Sequence, residues 1–193
     1  MAKVYAGIGS RRCPQFIWDM CWEIGYKFAS LGWLLRSGSA EGCDDGFEQG
    51  VEEYAVGTDY GQPESSLRRL QEIYIPWNGF NHNYIDDSRG IYCIENDEKA
   101  TELARKFHPA YASLSQGAKK LMARNCYQVL GSTLDDPVKM VICYTPDGAT
   151  TQTRYETGGT GQAIRIAVAH NIPVYNLGNE EHFTRLTNWL KET

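Results

Sequence analysis

The chain has 193 residues, 42% of them hydrophobic, and its 19 Lys and Arg against 24 Asp and Glu leave a net charge of -5. That length fits one domain, able to bury roughly 70% of its unfolded surface, and the composition excludes a disordered or fibrous chain. The acidic balance argues against broad binding to duplex DNA, which takes many Lys and Arg to neutralise phosphates. No run approaches the ~20 apolar residues of a membrane span, and no signal-peptide apolar region opens the chain, so the expectation is a cytoplasmic protein with no membrane partner.

In chain order, residues 3–8 form a short apolar run that stops at Gly9-Ser10, a first buried strand ending in a tight turn. Pro14 marks a helix start, and Ile17, Met20, Cys21, Ile24, Phe28 and Leu31 recur at spacings of three and four, one apolar stripe. A second strand at 33–36, a small-residue turn at 37–42 and a helix from 43 to about 54 repeat the unit. The polar segment 56–69 reads as loop with partial helix, and 72–75 as a third strand stopped by Pro76.

Residues 77–96 hold Trp77, Phe80, Tyr84 and Tyr92 among Asn, Asp and Gly, and read as an aromatic-rich insertion. Helices are expected at 97–107 and 115–129. The run at 138–144 is nearly all apolar, as in a sheet covered on both faces. A polar loop at 145–157, a glycine-started helix at 158–170, a strand at 172–176 and a helix at 180–190 complete the chain. Strands alternating with helices define an α/β class: a doubly wound, mostly parallel, Rossmann-like sheet with helices on both faces, in a single domain spanning 1–193.

Six cysteines (Cys13, Cys21, Cys43, Cys93, Cys126 and Cys143) include no CxxC pair, and the four histidines show no ligand spacing. They read as structural thiols and ordinary histidines; neither a metal nor a cofactor is expected.

Three turns share one design, an apolar strand followed by small residues and a helix start: Gly7 to Arg11, Ser37 to Asp44, and Thr157 to Gln162. Helix N-termini carry unpaired N–H groups and about half a positive charge, which favours an anion, and glycine lets backbone approach it. Turns that follow parallel strands open at one sheet edge, where open α/β sheets bind ligands. This marks Gly9, Ser10, Arg11, Ser37, Gly38, Ser39, Gly158, Gly159, Thr160, Gly161 and Gln162 as candidate phosphate contacts. Arg11 and Arg124 each carry a guanidinium able to fork onto a phosphate. Trp77, Phe80 and Tyr144 follow strand ends and are candidates to stack on a base. Neither GxxxxGK[ST] nor a GxGxxG after the first strand is present, which disfavours ATP hydrolysis and dinucleotide dehydrogenase chemistry.

Taken together, GIGSR at Gly7 to Arg11, SGSAEGCD at Ser37 to Asp44, ARNCYQVLG at Ala123 to Gly131, the 138–144 strand and GGTGQAI at Gly158 to Ile164 resemble the SLOG superfamily. That superfamily joins the DprA/Smf DNA-processing proteins to the LOG phosphoribohydrolases, and the resemblance is closest to small stand-alone DprA-like proteins of phage genomes. It implies that Ser37, Gly38, Ala40, Gly42, Asp44, Arg124 and Asn125 line a ligand groove, and that Gly158, Gly159 and Gly161 hold a nucleotide phosphate. The glutamate that LOG enzymes need soon after these glycines is missing: the stretch reads Gln162-Ala163-Ile164-Arg165. Asp44 and Glu156 are the remaining candidate catalytic carboxylates.

Three functions follow as expectations. The first is binding of a nucleotide-like small molecule, sequestering an immune signal such as a cyclic ADP-ribose or cyclic nucleotide. The second is hydrolysis of a nucleoside monophosphate at its N-glycosidic bond, and the third is binding of single-stranded DNA in recombination. Relatives of this kind commonly pair, so a homo-oligomer is expected.

Overall fold

The computed structural model describes residues 3–58 and 63–192. Residues 59–62 of the polar segment, and Met1, Ala2 and Thr193, lie outside the described residues. Among the described residues six strands, β1 (Val4–Gly9), β2 (Leu34–Ser37), β3 (Gln71–Tyr74), β4 (Ile91–Tyr92), β5 (Met140–Tyr144) and β6 (Val174–Asn176), form one sheet in the order β4-β3-β2-β1-β5-β6. Every neighbouring pair is parallel, with Ala6 beside Arg36 on one side of β1 and beside Val141 on the other. The expected α/β, doubly wound class is therefore what the chain adopts.

Among the described residues, seven α-helices cover the two faces: α1 (Gln15–Ser30), α2 (Cys43–Thr58), α3 (Pro63–Leu70), α4 (Glu98–Phe107), α5 (Gln116–Leu130), α6 (Thr160–Ala169) and α7 (Glu180–Glu192). The period-two geometry of β1 sorts its side chains between them. Tyr5 enters a core with Ile17, Ile24 and Phe28 of α1 and Phe47 of α2, while Val4, Ala6 and Ile8 enter a second core with Met122 and Cys126 of α5 and Ile164 of α6. The α1 stripe is buried as its spacing predicts, except Leu31, which caps the helix and is exposed.

Two segments differ from their sequence reading. In the segment read as loop with partial helix, residues 63–70 form the helix and α2 runs on to Thr58. The stretch read as an insertion, 77–96, contributes the edge strand β4, whose two residues are too short to show a period. It also braces a turn at the end of β2: Ser39 sits at φ 57, and its carbonyl and hydroxyl accept bonds from the Asn81 and Asn83 amides at 3.1 and 2.5 Å.

Helices α1 and α2 approach closely because glycine lies where they touch. A Cβ at Gly50 would overlap the Trp22 carbonyl oxygen, and one at Gly25 the Phe47 carbonyl oxygen. Gly57, near the end of α2, has open space around it. Overpacking such a contact costs about 1–3 kcal/mol, whereas alanine in an open helical site gains about 0.4–1 kcal/mol. Gly50→Ala should therefore lower the urea midpoint and Gly57→Ala should raise it, with the denaturant slope unchanged in both.

Candidate functional site

Strand order reverses at β1: α1 carries the chain to β2 on one side, while β5 and α6 lead to β6 on the other. The C-terminal ends of β1 and β5 therefore border the crevice in which open α/β sheets bind ligands. A cleft of about 380 Å³ lies there, walled by Gly9, Ser10 and Arg11 after β1, Asp44 of α2, Arg124, Asn125 and Gln128 of α5, and Glu156 to Thr160 before α6.

The floor is a buried ion pair. Asp44 starts α2, where a carboxylate suits the helix dipole, and its Oδ1 accepts the Gly9 backbone N–H at 3.0 Å while its Oδ2 accepts Arg124 Nη1 at 3.3 Å. Both side chains are almost fully buried. Burial pushes the Asp44 carboxyl up, opposed by the Arg124 charge and by N–H donors from Gly9 and Ala40; burial likewise pulls Arg124 down, opposed by Asp44. Gly38 makes room for this guanidinium, since a Cβ there would overlap Arg124 and crowd the Gln128 amide. Two buried donors beside the cleft, Arg124 Nε and Gln128 Nε2, have no partner among the described residues. Gly42, at φ 83, packs under the carbonyls of Ser10 and Arg11 and so seats the β1 turn against the β2 turn.

The opposite wall is the loop entering α6. Asn125 Nδ2 donates to the Gly159 carbonyl at 3.1 Å, and Gln162 Nε2 donates to the Met122 carbonyl at 2.7 Å, which fasten the first turn of α6 onto α5. The Thr157 hydroxyl donates to Asp147 Oδ2 at 2.6 Å and accepts the Arg154 N–H at 2.8 Å, holding the loop's other end. The backbone N–H groups of Gly159 and Thr160 meet no acceptor among the described residues. They are the unpaired donors expected at a helix N-terminus.

Gly9, Ser10, Arg11, Asp44, Arg124, Asn125, Glu156, Gly158, Gly159 and Thr160 thus share one cleft. The other candidates lie elsewhere. Ser39 faces a second hollow, lined by Asp45, Glu48, Glu52, Glu53 and Arg89 and apart from the cleft. Gly161 is buried against Thr157 and Arg165, and Gln162 is buried and occupied with α5. Ser37 is buried at the end of β2, and Gly38 serves the cleft from beneath, as space for Arg124. Trp77 and Phe80 pack edge to face with centroids 5.1 Å apart, Arg11 lies 6.0 Å over the Phe80 ring, and Tyr144 packs into the α1–α2 core, so none of the three rings lines the cleft. Sequence reading missed Gln128, although it follows Arg124 by four residues on the same helical face. It also missed Asp147, whose ten-residue separation from Thr157 of the third turn carries no signal.

All six cysteines are free, no group of three metal-ligating side chains occurs among the described residues, and no described helix is long and apolar enough to cross a membrane.

No family model matches the chain, and none of the curated proteins is similar to it. Among solved structures the chain is similar to DNA processing protein A from Helicobacter pylori, described for its single-stranded DNA binding mode, at 15% identity and a TM-score of 0.36. The match covers 99% of this chain and 82% of that one.

Removing one member of a buried pair strands the other, at a cost of about 3–5 kcal/mol, while replacing both by neutral groups of similar volume costs far less. Arg124→Ala should lose about that much stability in urea denaturation, and Arg124→Met combined with Asp44→Asn should recover most of it.

Glu48, one turn beyond Asp44, accepts the Ser39 N–H at 2.7 Å, and burial together with the Asp44 charge pushes it up to about 8 from 4.5. Between these values the folded protein holds a proton that the unfolded chain has lost, so this group's contribution is complete below about pH 4.5 and is lost as pH rises through about 8. Glu48→Gln should flatten that decline in a series of thermal melts across the same range.

Proposed function

We propose that the cleft between β1 and β5 binds the phosphate of a nucleotide and does not cleave the ligand. The observation that carries this reading is the convergence of unpaired donors from two sides: the buried Arg124 Nε and Gln128 Nε2 on one wall, the Gly159 and Thr160 N–H groups on the other. An oxyanion supplies the acceptors that these groups lack, and the α6 dipole and the guanidinium favour its charge. A volume of about 380 Å³ is at the small end of ligand pockets, consistent with one nucleotide unit. Binding without cleavage is supported by Asp44, whose two oxygens already hold Gly9 and Arg124. Glu156, exposed on the rim, is the carboxylate left to assist hydrolysis.

A second reading, in which the nucleotide belongs to a single DNA strand, is favoured by Tyr155. This ring is 96% exposed and precedes Glu156, which lines the cleft, and single-strand binders stack successive bases on exposed aromatic rings.

Gly159→Val separates ligand binding from folding. Gly159 has φ −62, and a Cβ there meets only Met122, at 3.6 Å, so the variant should fold. It should bind nucleoside monophosphates at least about tenfold more weakly by calorimetry, the loss of one charged hydrogen bond or more. Unchanged affinity in a folded variant would remove the α6 loop from the site. Salt dependence decides between the two readings: a single nucleotide loses little affinity between 50 and 200 mM salt, whereas a strand contacting ~6–10 phosphates loses about a thousandfold or more. Incubation with monophosphates should release no free base, and release abolished by Glu156→Gln would instead establish the hydrolase.

A further inference from the structure

The loop from β5 to α6 carries one wall of the cleft, with Pro146 near its start and Glu156, Thr157, Gly158 and Gly159 at its end. Most of its residues are exposed or half-buried. A polar segment with so few apolar contacts keeps one conformation only where hydrogen bonds tie it down. Here the tie comes from outside the cleft, from Asn176 at the end of β6.

Asn176 is fully buried and stands beside Cys143 of β5 in the sheet. Its Oδ1 accepts the Thr145 and Gly178 N–H groups at 3.1 and 2.9 Å, and its Nδ2 donates to Thr145 Oγ1 at 2.6 Å and to the Ala149 carbonyl at 2.7 Å. A buried amide satisfied on both of its atoms fixes its partners, because breaking any one bond strands a polar group. The backbone N–H of Asn176 is taken up in turn by His182 Nδ1 of α7, at 3.1 Å. The turns after β5 and β6 touch closely, since a Cβ at Gly178 would overlap the Thr145 carbonyl oxygen.

Between the two residues that Asn176 holds, Thr145 and Ala149, lies Asp147. Its Oδ2 accepts the Thr157 hydroxyl at 2.6 Å and its Oδ1 the Ala149 N–H at 3.4 Å. Burial pushes the Asp147 carboxyl up, but the Thr157 and Thr145 hydroxyls and the Ala149 N–H outweigh it and hold it below the usual carboxylate range. Thr157 stands two residues before Gly159. A continuous path therefore runs from Asn176 through the turn around Asp147 to the turn that opens α6.

Resting on the nucleotide-binding reading above, we infer that Asn176, which does not itself line the cleft, is a positioning residue for it. By holding Thr145 and Ala149 it brings Asp147 to Thr157, and so fixes the Gly159 and Thr160 N–H groups before a phosphate arrives. Donors set in place beforehand spare the ligand the cost of ordering the loop. Cutting the path leaves every group that lines the cleft in the chain and takes away only this preorganisation.

The test is a double-mutant cycle read by calorimetry with AMP, on wild type, Asn176→Ala, Asp147→Ala and the two combined, with circular dichroism and urea denaturation as checks of the fold. Neither substituted residue lines the cleft. Each single variant should bind AMP about fivefold or more weakly. The double variant should be no weaker than the worse single one, within about twofold, because both substitutions cut one path. Asp147→Asn, which keeps an acceptor for the Thr157 hydroxyl, should recover most of the affinity. Should Asn176→Ala not fold, Thr145→Val takes its place in the cycle, removing the hydroxyl that Asn176 Nδ2 meets at nearly constant volume. Folded single variants with lowered urea midpoints but AMP affinity within about twofold of wild type would show that Asn176 only stabilises the fold, which overturns the positioning role and leaves the cleft intact. Losses that multiply in the double variant, or an Asp147→Asn no better than Asp147→Ala, overturn the shared path. Wild type that binds no AMP overturns the nucleotide reading itself, and this inference with it.

Discussion

The buried pairing of Asp44 with Arg124 is the constraint around which the rest is arranged. Asp44 alone ties the end of β1, through Gly9, to the start of α2, and through Arg124 it ties both to α5 on the opposite face of the sheet. A carboxylate and a guanidinium removed from water need each other, because neither tolerates burial unpaired. The glycines around them follow from this. Gly38 leaves space for the guanidinium, and Gly42 lets the two turns that flank Asp44 pack together. An apolar pair of similar volume would hold the same elements with less desolvation; what it would lack is a fixed positive charge on the wall of the cleft.

That charge sits where the sheet reverses direction, on the wall of the cleft. The net charge is negative, yet the acidic side chains Asp45, Glu48, Glu52 and Glu53 gather on the far side of Ser39, away from the cleft. The cleft walls bring Arg11, Arg124 and the amino end of α6 together with the carboxylates Asp44 and Glu156. Local geometry, not the sum of charges, sets the potential a ligand meets.

How far could this be read without coordinates? The β1 and β5 runs, the α1 stripe and the alternation of strand with helix are strong periodic signals, because a sheet covered on both faces must be apolar through its centre. The glycine turns after β1 and before α6 were legible for a related reason: small residues at a strand-to-helix junction have few other uses. What stayed hidden depends on contacts between distant segments. Nothing local to Ser39 says that its backbone enters the left-handed region and turns its side chain to Asn83. Gln162 looks like a phosphate ligand by its place after the glycines, but the helical turn that begins at Thr160 points it inward to the Met122 carbonyl. β4 could not be found by periodicity because it has two residues and owes its existence to pairing with β3.

The shortness of the outer strands also bears on how these molecules behave when crowded together. A sheet edge is a row of unused N–H and C=O groups on which another chain can add a strand, the first step toward aggregation. Here the β4 edge is already capped, because Asp86 exchanges two backbone hydrogen bonds with Ile91 on its outer side at 2.9 and 3.0 Å. The β6 edge is three residues long and is preceded by Pro173, which has no N–H to offer. A fully parallel sheet is thus left with almost no template for adding further chains.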